Sequence, residues 1–359
     1  MTSQGRARMI GLDWGTTSCR AFLLGDDGEV LAERRQQSGV KALTASAVSA
    51  GTPRTEAFER AYEQLCGEWL ETLPKLPVVA CGMVGSNQGW VETPYRSLPV
   101  DLVDNGFVMT TVPARDGSVV HIIPGLIADQ GVPDVIRGEE TQVLGALGES
   151  SWTSDNSNID RIVLLPGTHS KWVRVAGTTV RAFKTFMTGE FFALLTTEST
   201  LSQLASPSGN ANWEAFGKGL DVAASASVGG GILGTAFSAR TLAMTGGIAA
   251  DEVEDYLSGL LIGDEVASAS TLWREVDVDE VLICGEADLS ERYRRALVKF
   301  DLPTPRGISD SAATGMWRLA VAAGLVGQLD PSHPTPQASP VSARQQHRSA
   351  STTYREPGN

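Results

Sequence analysis

Apolar positions along the chain fall into short runs broken by glycine, proline and acidic turns, and two of these runs share one shape. Met9-Ile10-Gly11-Leu12-Asp13-Trp14 ends in Gly15-Thr16-Thr17-Ser18, and Cys19 to Leu24 is then largely apolar again. This pattern predicts a strand, a tight hydroxyl-rich glycine turn and a second strand. Ile162-Val163-Leu164-Leu165 followed by Pro166-Gly167-Thr168-His169-Ser170-Lys171-Trp172-Val173 repeats it, with Gly15, Thr16 and Ser18 matching Gly167, Thr168 and Ser170 at one constant offset. After the first copy, Asp26-Asp27-Gly28 predicts a turn into a third strand at Val30 to Ala32. Phe58, Tyr62, Leu65, Trp69 and Leu73 form one apolar stripe, which predicts a helix over 56–73 closed by Pro74 and Pro77. A short buried strand at 77–83 runs into the polar, glycine-rich loop Gly82 to Trp90, and irregular β structure is expected over 91–124. Arg137-Gly138-Glu139-Glu140-Thr141-Gln142 opens a helix through Leu147, its acids suited to a first turn. The second half predicts a strand over 180–186 and a helix over 187–195, then helix with loops over 199–242 and a helix over 251–269. A strand over 279–286 and helices over 289–298 and 309–326 complete it.

Length and composition place these elements in domains. The chain of 359 residues is too long for one compact core. The polar run 150–158 reads as a linker, giving expected domains at 1–150 and 151–330. The proline-, serine- and glutamine-rich segment 331–359 reads as a disordered tail. A net charge of -13 speaks against a nucleic-acid partner, whose phosphates want Lys and Arg. The four cysteines form no CxxC pair, and no apolar run approaches a membrane span of about 20 residues. A cytoplasmic protein with small-molecule partners is therefore expected; oligomeric state is not readable.

Candidate chemistry centres on the two glycine turns. Such turns present backbone N–H groups to an anion, and Thr and Ser hydroxyls add donors. Asp13 could hold Mg²⁺ directly or through water, and Lys171 could meet a phosphate as a point charge. His169 sits inside the second turn as a further donor or simply as a satisfied side chain. No P-loop run exists, and Gly229 to Gly234, which fits Gly-x-Gly-x-x-Gly, follows Ala- and Ser-rich sequence rather than a buried strand. Gly285 and Glu286, at the end of the strand finishing in Cys284, have the shape of a nucleoside site or of an ordinary close turn. Glu139 and Glu140 offer a general base aimed from a helix start, or equally a cap for that helix. Arg137 could clamp a carboxylate or form a surface ion pair. Asp129 is a weaker base candidate.

Taken together, Leu12 to Thr17, Gly82 to Trp90, Arg137 to Gln142, Pro166 to Trp172, Met187-Thr188-Gly189-Glu190 and Leu257 to Gly263 resemble the 2-dehydro-3-deoxygalactonokinases. These are sugar-acid kinases of the actin–hexokinase–acetate kinase superfamily, and the likeness runs from about Met9 to about Gly327. It implies an α/β fold of two ribonuclease H-like domains with a cleft between them. It implies ATP- and Mg²⁺-dependent phosphorylation of 2-dehydro-3-deoxy-D-galactonate at its 6-hydroxyl in galactonate breakdown. Asp13, Gly15, Thr16, Thr17 and Ser18 would be the first phosphate segment, with Asp13 toward the metal. Gly167, Thr168, His169, Ser170 and Lys171 would be the second, and Gly285 and Glu286 would lie at the nucleoside. Gly85, Ser86, Asn87 and Arg137 would hold the sugar acid, and Glu139 or Glu140 would stand where the superfamily usually places an aspartate base. The alternatives are a kinase for a related acid such as 2-dehydro-3-deoxygluconate, or a non-catalytic nucleotide-binding regulator of the same fold.

Overall fold

The computed structural model describes residues 6–104, 106–148, 159–206, 210–225, 230–272, 278–309 and 311–327. The expected linker at 150–158 and tail at 331–359 lie outside the described residues, which all fall in one unit, Met1–Gln328. In the first half, β1 (Met9–Trp14), β2 (Cys19–Leu24) and β3 (Val30–Gln36) form an antiparallel meander, followed by α1 (Val40–Ala50) and α2 (Arg54–Thr72). Then come β4 (Val78–Gly82), β5 (Arg96–Ser97), β6 (Val100–Asp101), β7 (Thr110–Pro113), β8 (Val119–Ile122), β9 (Leu126–Ala128), β10 (Asp134–Ile136) and α3 (Glu139–Ala146). The first sheet runs β3-β2-β1-β4-β8-β7, with β4 parallel to both β1 and β8.

The second half repeats this plan. A second meander, β11 (Asp160–Leu165), β12 (Ser170–Ala176) and β13 (Thr179–Phe186), is followed by α4 (Thr188–Thr197), α5 (Trp213–Ala224), α6 (Gly231–Thr235), α7 (Ser238–Thr245) and α8 (Val253–Leu272). β14 (Glu280–Cys284), α9 (Ala287–Lys299), β15 (Arg306–Ile308) and α10 (Ser311–Ala322) complete it. This sheet runs β15-β14-β11-β12-β13, with β6 of the first half added at its far edge. The fold is thus the expected α/β type, with the ribonuclease H-like strand order present twice. A small sheet of β10-β9-β5 stands apart, and neither it nor α1 and β15 was marked by an apolar pattern.

Central strands are apolar on both faces because both are covered, as parallel neighbours require. Ile10, Leu12 and Trp14 pack with Phe58, Tyr62 and Leu65 of α2, while Met9 faces the other way. In β11, Ile162 and Leu164 pack with Phe216, Ile262 and Tyr293 from α5, α8 and α9, and Val163 and Leu165 face a central cluster. That cluster holds Val143 and Leu144 of α3 with Ala313, Met316 and Trp317 of α10, so both sheets share it.

α10 therefore lies against the first sheet although it ends the second half. It meets α3 backbone to backbone. A Cβ on Gly145 would sit 1.8 Å from the Ser311 carbonyl oxygen, and one on Gly315 would sit 1.9 Å from that of Thr141. Trp90 is buried against Trp14, Phe58 and Tyr62, with ring centroids 5.6–6.3 Å away, and so pins the end of the Gly82–Trp90 loop to the first core.

Candidate active site

A cavity of about 470 Å³ opens where the C-terminal ends of β11 and β14 meet α3. Its floor is the second glycine turn, residues 165–169, with Lys171 beyond it. One wall is Cys284, Gly285 and Glu286; α3 supplies Glu139 and Gln142; the first hairpin supplies Arg20. A ligand crevice at strand ends is where an open α/β sheet offers backbone groups to a ligand. Gly285 rests on the turn itself, since a Cβ there would lie 3.2 Å from Cδ of Pro166. The two segments expected at the nucleotide are therefore neighbours.

The first turn behaves differently. Gly15, Thr16, Thr17 and Ser18 do not line the cavity. The carbonyls of Gly15, Thr16 and Thr17 accept the N–H groups of Val40, Lys41 and Gly39 at 3.1 Å, which caps the start of α1. The matched repeat is also unequal in register. Trp14 pairs with Cys19 across the first turn, whereas Leu165 pairs with Lys171 across the second. Asp13 is opposite Arg20, and its Oδ2 accepts from Arg20 Nη2 at 2.7 Å and Nε at 3.1 Å. The hairpin thus reaches the cavity through Arg20, a residue the motif reading passed over. The direct cross-strand pairing of an acid with a base was the signal for it.

Among the described residues no cluster of three His, Cys, Asp or Glu side chains is placed to cage a metal. A single carboxylate still fits Mg²⁺, which usually keeps several waters and takes one or two carboxylates plus phosphate oxygens. Asp13, the acid expected at the metal, does not itself line the cavity: its Oδ2 accepts from Arg20 and its Oδ1 from the Cys81 thiol at 3.9 Å.

The paired acids separate in role. Glu139 lines the cavity, and its Oε1 lies 3.2 Å from Lys171 Nζ, so an acid of α3 faces the lysine of β12 across the cleft. Its Oε2 accepts the Arg137 N–H at 2.8 Å, and Lys171 also donates to the His169 carbonyl at 2.7 Å. Glu140 is wholly buried beneath; its Oε2 accepts the Gly138 N–H at 2.7 Å and its Oε1 the Thr141 hydroxyl at 3.0 Å. Burial first, and the neighbouring Glu139 second, push the Glu140 carboxyl up to about 7.

Three further expectations change in the structure. Arg137 is buried with its fork already used: Nη2 donates to the Thr93 carbonyl at 2.9 Å, Nη1 to the Thr93 hydroxyl, and the guanidinium lies 4.2 Å from the Tyr95 ring centroid. It ties the loop after Trp90 to α3, its Nε is buried without a hydrogen-bond partner, and Arg137 does not line the cavity. Gly85 and Ser86 are buried and Asn87 is exposed, and none of the three lines the cavity. A Cβ on Gly85 would meet Thr93 Oγ1 at 2.7 Å and Arg137 Nη1 at 3.0 Å. Ser170 is fully buried and turns its hydroxyl to Glu265 at 2.8 Å, because it begins β12 one position before Lys171, which takes the opposite, cavity-lining face. His169 stays at the cavity, hydrogen-bonded to Glu190 of α4, whose N–H donates to the Thr168 carbonyl at 2.9 Å.

Comparison with known proteins gives one consistent result. A family model described as 2-keto-3-deoxy-galactonokinase matches residues 13–319. A Rhizobium meliloti protein named "Probable 2-dehydro-3-deoxygalactonokinase DgoK1" is 35% identical over 334 residues, which is 89% of this chain and 100% of that protein. The Escherichia coli 2-dehydro-3-deoxygalactonokinase is 36% identical over 293 residues, 81% of this chain and 89% of that protein. A crystal structure assigned to the same kinases, from Sinorhizobium meliloti, superposes with a TM-score of 0.72 at 33% identity, covering 88% of this chain and 98% of the other.

Proposed function

The chain belongs to the 2-keto-3-deoxy-galactonokinase family, and we propose that its cleft transfers the γ-phosphoryl group of ATP to the 6-hydroxyl of 2-dehydro-3-deoxy-D-galactonate. The protein is a kinase for this sugar acid. The single observation that carries the assignment of roles is the Glu139–Lys171 pair across the cavity. An acid from one side and a cation from the other converge where an attacking hydroxyl and a transferring phosphoryl group would meet.

In this reading ATP lies along the second glycine turn, with its nucleoside toward Gly285 and Glu286. Lys171 offsets charge on the transferring group, as preorganised donors do most effectively when water is excluded. Glu139 accepts the proton of the sugar hydroxyl, exchanging its lysine contact for the substrate. Arg20, which Asp13 holds at the cavity wall, takes over the anion contact first assigned to Arg137. When bound, Mg²⁺ would neutralise phosphate oxygens, and Asp13 is the side chain that would hold it. The halves 1–150 and 151–330 serve as lobes whose approach keeps water from acting as the acceptor. The reading places the reaction in the cytoplasm, where ATP is supplied; no helix among the described residues is long and apolar enough to cross a membrane.

The test is steady-state kinetics by coupled ADP release, run with the galactonate and gluconate forms of the keto-deoxy acid. Glu139→Gln is expected to lower kcat by about 100-fold or more, the usual contribution of a general base. Glu140→Gln is expected to stay within a few-fold of the native rate, because its carboxyl does not reach the cavity. The reverse ranking would overturn the assignment.

A further inference from the structure

Behind the second glycine turn, on the side away from the cavity, lies a buried acid that the chemistry above does not use. Glu265 of α8 is 2% exposed. Its Oε1 accepts from Ser170 Oγ at 2.8 Å and from Trp172 Nε1 at 2.7 Å, and its Oε2 accepts from Tyr293 Oη at 2.7 Å. Burial drives its carboxyl above the usual range, while these three donors and the Thr188 hydroxyl hold it back. A buried carboxylate is costly unless its oxygens are satisfied, and here donors from three neighbouring elements satisfy them.

Those donors are placed with respect to the cleft. Successive side chains of a strand point to opposite faces. Ser170 and Trp172 point from β12 to Glu265, so Lys171 between them points to the cavity. Tyr293 belongs to α9, whose N-terminal boundary at Glu286 lies in the cavity wall with Gly285. Thr188 opens α4, which presses on the turn: a Cβ on Gly189 would sit 2.4 Å from the Gly167 carbonyl oxygen. One carboxylate thus joins the phosphate turn, the strand end beside it and the helix that backs the turn.

We infer that Glu265 is a positioning residue for the nucleotide, fixing residues 166–171 relative to Gly285 and Glu286. The inference rests on the reading that ATP occupies this cavity. Misplacement by about 1 Å is enough to cost two orders of magnitude when reacting groups must align. A role in folding alone would weaken nucleotide and sugar-acid binding together, or neither. A positioning role acts first on the nucleotide side: among the described residues the hydrogen bonds of Glu265 stay within the second half, and its one route to the first half, Lys171 to Glu139, bears on kcat rather than on the KM for the sugar acid.

The experiment compares the full-length native protein with E265Q and Y293F, measuring ADP affinity by titration calorimetry, KM for ATP and for the sugar acid, and thermal melting. Gln keeps the shape but turns one acceptor into a donor. E265Q is expected to raise the ADP dissociation constant and the KM for ATP about tenfold, the order of one lost hydrogen bond to a charged group. Y293F, which leaves Ser170 and Trp172 in place, is expected to show the same signature at about threefold. The KM for the sugar acid should move by less than twofold in both. Should E265Q not fold, Y293F alone carries the comparison. Native protein that binds no ADP overturns the reading of the cavity itself. Native protein and variants that bind ADP equally, or variants that lose both substrates in parallel, overturn only the role of Glu265.

Discussion

Replacing Glu140 with Gln gives the sharpest test of how the two neighbouring acids divide their work. Glu140 has no exposed surface, and its carboxyl is pushed from the usual 4.5 to about 7 by burial and by Glu139 beside it. A folded-state pKa above the unfolded one means the native protein binds a proton more tightly than the unfolded chain. The stability this gives is fully present below pH 4.5 and is lost as pH rises through 7. At about 1.4 kcal/mol for each unit, the loss approaches about 3 kcal/mol by pH 8. Unfolding entropy near 2 cal/mol/K per residue makes that roughly 5 °C in melting temperature for a unit of this size. Gln keeps the volume, can accept the Gly138 N–H and can donate to the Thr141 hydroxyl, so E140Q should fold and lack this dependence. The assay is thermal unfolding followed by circular dichroism at several pH values from 5 to 8. Native protein should lose about 4 °C more than E140Q across that range, and the variant should be the more stable at pH 8. Melting curves that run parallel would show that Glu140 carries no raised pKa, and with it would fall the reading of Glu140 as a buried acid set apart from the cavity.

Two predictions concern packing and can be read by denaturant unfolding. Gly315→Ala should destabilise by about 2 kcal/mol or more, because the new methyl would lie 1.9 Å from the Thr141 oxygen, whereas Gly67→Ala in α2, with nothing within 4 Å, should stabilise by about 0.5–1 kcal/mol. Arg137→Lys should cost about 1–3 kcal/mol of stability by breaking the fork on Thr93, with the KM for the sugar acid within a few-fold of native; a KM raised a hundredfold would restore Arg137 as a substrate contact.

Much of the fold was legible because both central meanders announce themselves. Continuous apolar runs ending in glycine turns marked β1, β2, β11 and β12, and the stripe from Phe58 to Trp69 marked α2. α1 was not legible. Its sequence, Val-Lys-Ala-Leu-Thr-Ala-Ser-Ala-Val-Ser-Ala, buries only Val40 and Ala47, and it starts where the first turn's carbonyls receive its N–H groups. β5, β9 and β10 are two or three residues long and depend on one another for pairing, which no periodicity can signal. The candidate site was readable by segment and less so by atom. Glu139, Lys171, His169, Gly285 and Glu286 do line one cavity. Arg137 and Ser170 carry residue types that suit phosphate or carboxylate binding, yet neither lines the cavity: both terminal nitrogens of Arg137 go to Thr93 and the Ser170 hydroxyl goes to Glu265. Which face a side chain takes depends on strand register, and the equal offset between the two repeats hid a difference of register between them.

That difference explains why a duplicated hairpin does two jobs. In the first copy the turn's carbonyls are held by the start of α1, so the backbone there is committed to building the lobe. Asp13 and Arg20 meet directly across the strands, and the hairpin's charge is delivered to the cavity on a long side chain. In the second copy the strands pair differently, Pro166 leads into the turn, and α4 and Glu265 brace it from outside and behind. The backbone of residues 166–169 is then what remains open at the cavity floor, with Lys171 beside it. Two loops alike in sequence therefore supply a cation from one side and an oriented turn from the other. On the proposed reading a polyphosphate would meet Arg20 on one side and the second turn with its own Lys171 on the other.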